Sequence, residues 1–139
     1  MSYTLVDDIA DIDLTRHALI EASAGTGKTY TLENLVVRLL KERQDITIEN
    51  ILMVTFTEKA TSELKTRIQE KLLEEIRFVA DGQDDAGTVQ KIRDTLDAFD
   101  TASIYTIHGF CHTVLKDFAF ENGSLFQNEV VDDAPIFDT

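Results

Sequence analysis

An apolar run feeding straight into a glycine-rich loop that ends in Lys-Thr constrains this chain more than any other stretch: Leu19-Ile20-Glu21-Ala22-Ser23-Ala24-Gly25-Thr26-Gly27-Lys28-Thr29. Gly25 and Gly27 lack a Cβ, so the backbone can take positive φ and turn successive N–H groups toward the oxygens of a polyphosphate. Lys28 is placed to reach the terminal phosphates and the Thr29 hydroxyl to ligate Mg2+, while the helix that begins here points its positive end at the anion. The phosphate-loop pattern has Gly at its first position, where this chain has Ala22. A small side chain suffices at a strand end, whereas the chemistry resides in Gly27 and Lys28.

The flanks supply the strand, loop and helix order that such a motif needs. Ala18-Leu19-Ile20 reads as a short buried strand, and Leu32, Leu35, Val36, Leu39 and Leu40 recur at helical spacing between Thr31 and Leu40. The next unit repeats this order. Ile51-Leu52-Met53-Val54-Thr55-Phe56 is a continuous apolar run of strand length, as in a parallel strand covered on both faces. Ala60, Leu64, Ile68, Leu72 and Ile76 then recur every fourth residue, with Glu63 and Arg67 spaced to pair on the exposed side. A third unit has Ala102 to Thr106 as strand and Ile107 to Phe120 as helix. Strands alternating with helices predict an α/β fold: a parallel sheet flanked by helices.

At 139 residues and 43% apolar content the chain is one domain at most and long enough to bury a core. No run approaches membrane-spanning length, the acidic start has no leader-like apolar core, and the lone Cys111 matches a reducing compartment, so the expected location is the cytoplasm, with no membrane partner. The net charge of −13 is concentrated at the ends. Residues 1–13 hold four acids and residues 117–139 hold six, without a Lys or Arg in either, so all thirteen bases face sixteen acids in the middle. This distribution is compatible with a nucleic-acid partner but argues against strong binding by this stretch alone, because phosphate affinity rests on Lys and Arg displacing counterions.

In open α/β sheets ligands collect at the carboxyl ends of the strands. Val54-Thr55-Phe56-Thr57-Glu58-Lys59-Ala60-Thr61 follows the second strand and Thr106-Ile107-His108-Gly109-Phe110-Cys111 follows the third, so both clusters border the expected nucleotide site. With the phosphate loop, these phrases in this order resemble the superfamily 1 DNA helicases of the UvrD/Rep type, and within them the RecB-type family, the beta subunits of exodeoxyribonuclease V. The run Phe120-Glu121-Asn122-Gly123-Ser124-Leu125-Phe126 adds to the resemblance, which extends from about Leu14 onward.

The resemblance implies a partial RecA-like P-loop NTPase domain, with residues 1–139 forming the N-terminal part of the first motor domain and residues 1–13 and 117–139 its acidic ends. It implies that Ala22, Ser23, Ala24, Gly25, Thr26, Gly27, Lys28 and Thr29 hold ATP, with Thr29 on Mg2+ and only Lys28 and Thr29 near the chemistry. Thr55, Phe56, Thr57, Thr106, His108 and Phe110 are implied to border single-stranded DNA, since hydroxyls can hold phosphates and rings can stack on bases. Phe56 and Phe110 can also be read as simple core residues, a reading that the helical position of Phe110 favours. The implied activity is that of an ATP-dependent DNA helicase and exonuclease subunit in double-strand-break repair and recombination, with the other exodeoxyribonuclease V subunits as partners. Relatives place a Gln upstream of the loop to read adenine; here the first Gln is Gln44, and Thr15 stands near the expected place.

Two further patterns carry less. His108, Cys111 and His112 share a helix face, but one thiolate and no nearby fourth ligand make a poor zinc site. Glu129-Val130-Val131-Asp132-Asp133 imitates a strand ending in Mg2+-binding acids, yet its apolar run is too short. If so, the acid that activates water, the arginines that stabilise the transferring phosphoryl group and a second motor domain are not in this sequence, and nucleotide binding without hydrolysis or unwinding is expected. The alternatives are a stand-alone small P-loop NTPase or kinase, and a non-catalytic nucleotide-binding module. Sheet edges left without partners predict possible self-association.

Overall fold

The computed structural model describes residues 8–21, 27–80, 86–119 and 121, with the side chains of 79 and 80 excepted. Among the described residues four helices and two strands follow in order: α1 (Lys28–Glu42), β1 (Leu52–Thr55), α2 (Glu58–Ala80), α3 (Ala86–Asp97), β2 (Ser103–Thr106) and α4 (Ile107–Asp117). Short 3-10 turns at Ile9–Asp11, Ile48–Asn50 and Phe99–Thr101 join them. β1 and β2 pair in parallel, Leu52 opposite Ser103 and Thr55 opposite Thr106, with α2 and α3 forming the crossover between them. The expected α/β architecture is therefore present, with helices packed on a parallel strand pair.

The core is built on the apolar stripe of α2. Leu64, Ile68 and Leu72 are buried at spacings of four, against Val36, Val37 and Leu40 of α1, Ile92 of α3 and Ile104 of β2, with Ile48, Phe99 and Ala102 closing the cluster. Ala60 was expected to begin this stripe but is exposed; Thr61 is buried in the first turn instead. Its hydroxyl lies 2.6 Å from that of Thr55, which satisfies both groups where the helix leaves the sheet. A salt bridge of 2.7 Å between Lys41 and Glu75 ties α1 to α2 near the far end, and Arg67 pairs with Glu63 as the spacing predicted.

Polar side chains secure the periphery. Arg38 donates from Nη1 to the carbonyls of Ile9 (2.8 Å) and Ile12 (2.7 Å) and from Nε to Glu42 (2.6 Å), which holds the N-terminal segment on α1. Within that segment the hydroxyl and backbone N–H of Thr15 hold the Asp13 carboxyl below the ordinary aspartate range. Lys91 of α3 donates to the carbonyl of Arg43, the C-cap of α1, where a cation also meets the negative end of the helix dipole. Burial lowers the pKa of that ammonium.

Three further sequence expectations change. Ala18 to Ile20 is not a strand: the segment has no ladder partner among the described residues, and Leu19 is 86% exposed. A strand exists only beside another strand, and β1 and β2 pair with each other instead. β1 is not covered on both faces, since Leu52 and Val54 are about half exposed while Met53 and Thr55 turn toward the core side. The opposite sheet face is met by α4 through Phe110, whose ring lies 6.3 Å from that of Tyr105. The helix after β2 ends at Asp117 rather than Phe120. Finally, α3 was not anticipated. The acidic run Glu129 to Asp133 lies outside the described residues.

Leu72 is fully buried at the centre of the core. Leu72→Ala is expected to cost about 3 kcal/mol, a large part of the roughly 5–15 kcal/mol that stabilises a domain of this kind. Urea unfolding should show a midpoint lower by about 1–2 M with an unchanged slope. A midpoint within about 0.3 M of the parent chain contradicts this core.

Candidate nucleotide site and strand-end junctions

Gly27 is the N-cap of α1 and adopts φ +91°, the left-handed region that an L side chain rarely takes. Its carbonyl accepts both the backbone N–H (2.8 Å) and the hydroxyl (3.1 Å) of Thr31, closing the first turn. Lys28 is exposed and Thr29 half-buried, at the first two positions of the helix. The expected loop residues Ala22, Ser23, Ala24, Gly25 and Thr26 lie outside the described residues. Its N-cap, a glycine, has no side chain with which to cap the helix, and the first turn holds no acid. A fifteen-residue helix thus presents N–H groups and a positive dipole end beside a lysine, a donor set that suits a phosphate. A concavity of about 740 Å³ opens next to it, lined by Arg16, His17, Ile20, Glu21, Tyr30 and Thr31.

The two helices that leave strand ends are capped by their own threonines. At the end of β1, the Thr57 hydroxyl accepts the N–H of Ala60 (3.1 Å) and its carbonyl accepts the N–H of Thr61 (3.0 Å), while Thr55 donates to that same carbonyl (3.2 Å). At the end of β2, the buried Thr106 hydroxyl accepts the N–H of Gly109 at 3.0 Å. A Cβ at position 109 would sit 3.1 Å from that hydroxyl, so glycine lets the cap close. Because Thr55 and Thr106 are register partners, the starts of α2 and α4 stand side by side at the carboxyl edge of the strand pair.

Of the residues expected to border DNA, the structure brings Thr55, Thr57 and Thr106 to this edge and also gives their hydroxyls structural work. Phe56, 86% exposed, is not a core residue among those described, and His108 is exposed as well. Phe110 is half-buried against Tyr105. Sequence reasoning passed over Tyr30 and Glu33. Glu33 had a legible signal, since it falls three positions before Val36 and four before Val37 on the buried stripe of α1, where an acid is out of place.

The UvrD/REP helicase N-terminal domain profile matches residues 8–136. The chain is 37% identical to the RecBCD enzyme subunit RecB of Haemophilus influenzae over 96% of its own length and 13% of that protein's. It is 38% identical to the corresponding subunit of Escherichia coli K12, over 88% of this chain and 12% of that one. For Chlamydia trachomatis RecB the identity is 41%, over 70% of this chain and 11% of the relative. The chain therefore spans only about an eighth of the length of these relatives. The fold, the loop-to-helix junction and these matches agree, and the chain belongs to the UvrD/REP helicase N-terminal domain family.

Proposed function

We propose that residues 1–139 are the N-terminal part of the first motor domain of a RecB-type helicase subunit, with acidic ends at 1–13 and 117–139, and that this part binds ATP with Mg2+. One observation carries the reading: α1 is a long helix that starts on a left-handed glycine, a residue with no side chain to cap it, followed directly by Lys-Thr. In the neighbouring α2 and α4 a threonine hydroxyl performs that service. A phosphate would take its place on α1, with Ala22 to Thr29 as the cradle and Thr29 on the metal.

Within this reading, ATP supplies the phosphoryl group whose transfer drives the motor. Lys28 holds the phosphate charge, the N–H groups of the first turn orient it, and the concavity by Tyr30, Arg16 and His17 gives the nucleoside room. Thr55, Phe56, Thr57, Thr106, His108 and Phe110 border single-stranded DNA, for which the exposed ring of Phe56 offers a stacking surface. The parent acts as an ATP-dependent helicase and exonuclease in double-strand-break repair and recombination, together with the other exodeoxyribonuclease V subunits. The work is cytoplasmic; no described helix is long and apolar enough to cross a membrane.

Phosphoryl transfer requires several elements at once, and this chain by itself binds nucleotide without turnover. Calorimetry with ATP and Mg2+ should show binding that weakens at least about tenfold in Lys28→Ala, in line with the loss of a charge-assisted contact. Equal affinity in the variant removes the cradle. Single-stranded DNA should leave phosphate release at background; stimulated release that Lys28→Ala abolishes contradicts the proposal in favour of a stand-alone NTPase.

Self-association follows from the sheet. β1 and β2 pair only with each other among the described residues, so each presents an outer edge, next to the half-exposed Leu52 and Val54. Repulsion between the acidic ends favours a discrete dimer over precipitation. Sedimentation equilibrium should therefore detect a dimer that Val54→Lys dissociates. A monomer at the highest attainable concentration contradicts it.

A further inference from the structure

Glu33 is the buried charged residue of the described core, 7% exposed, and neither nucleotide nor DNA binding uses it. Its Oε2 has no hydrogen-bond partner among the described residues and faces Nη1 of Arg67 at 3.9 Å. Arg67 is engaged elsewhere, with Glu63 on its own helix, through Nε (3.0 Å) and Nη2 (2.8 Å). The pairing is inverted relative to electrostatic need. Glu63 is half exposed and solvated by water, whereas Glu33 depends on a protein cation to offset its burial. A guanidinium shift of about 1 Å would bring Nη1 within charge-assisted hydrogen-bond range of Glu33. An open groove of about 700 Å³ between α1 and α2, lined by Tyr30, Lys59, Thr66 and Lys71 among others, leaves room for that movement.

The two partners belong to the two functional helices. Glu33 lies five positions beyond Lys28, about 7.5 Å along the helix that issues from the phosphate loop. Arg67 sits on the helix that issues from Thr57, beside Phe56. Resting on the reading of Gly27 to Thr29 as a nucleotide site, we infer that Arg67 is a two-position clasp that exchanges Glu63 for Glu33 as polyphosphate binds at the start of α1. The cause is electrostatic. Negative charge arriving at the start of α1 makes the potential around Glu33 more negative and draws the guanidinium inward, away from a partner that water can solvate. Arg67 is thus a positioning residue that couples nucleotide on α1 to the helix at the proposed DNA edge.

The test is nuclear magnetic resonance of the 139-residue chain, labelled with nitrogen-15 and titrated with the β,γ-imido analogue of ATP and Mg2+; Arg67→Lys assigns the guanidinium signal. The Arg67 Nε–H resonance should shift together with the amides of Gly27 to Thr29, along one binding curve. In Glu33→Gln the loop amides should still shift while Arg67 stays still. In Glu63→Gln the Arg67 signal should start at its loaded position, and nucleotide affinity should rise by about two- to fivefold through linkage. Loop amides that shift while Arg67 in the parent chain remains still overturn the clasp and leave the nucleotide site standing. Loop amides that never shift overturn both.

Discussion

Burial of Leu64, Ile68 and Leu72 along one face of α2 is the interaction on which everything else in this structure depends. A parallel pair of four-residue strands has too little ladder to persist in water, and a lone helix such as α1 is marginal away from a packing surface. The α2 stripe meets both, with Ile104 on the sheet side and Val36, Val37 and Leu40 on the α1 side. It sets where each helix begins relative to the strand ends, and hence where the functional groups stand.

That arrangement gives structural work to the same few hydroxyls that are proposed to border DNA. Thr57 and Thr106 complete the helices that follow β1 and β2, and Thr55 braces the first of these junctions against the buried Thr61. Exposed Phe56 and His108 stand next to these caps without a comparable structural task among the described residues. α1 differs, beginning on a left-handed glycine that has no side chain with which to cap it. In a family of helicase domains, the glycine start of α1 and the threonine caps of α2 and α4 are the physical basis of the proposed separation of a nucleotide end from a nucleic-acid edge.

Helical periodicity and apolar runs made most of the fold legible: α1, β1, α2, β2 and α4 all lie within the predicted stretches or extend them by a few residues. α3 escaped because Gly87 weakens its first turn and its inward set of Val89, Ile92, Thr95 and Leu96 is short and partly polar. Ala18 to Ile20 failed for a different reason, since strand pairing is a non-local property that no apolar triplet can specify. At the site, the Lys-Thr start of α1 and the adjacency of Thr55 and Thr106 were readable from motif order. The Thr55–Thr61 contact and the Glu33–Arg67 approach arise between residues that meet only after folding.

The central claim is that one α2-centred core positions these junctions while the segment Ala18 to Ile20 stays outside the sheet. Native-state hydrogen exchange resolved by residue tests it most directly. The amides of Leu64, Ile68, Leu72 and Ile104 should be the slowest to exchange and open together in a single global unfolding event, whereas those of Ala18, Leu19 and Ile20 exchange at nearly unprotected rates. Protection of Leu19 and Ile20 equal to that of Ile104 would contradict the account, because it would place that segment in the hydrogen-bonded ladder.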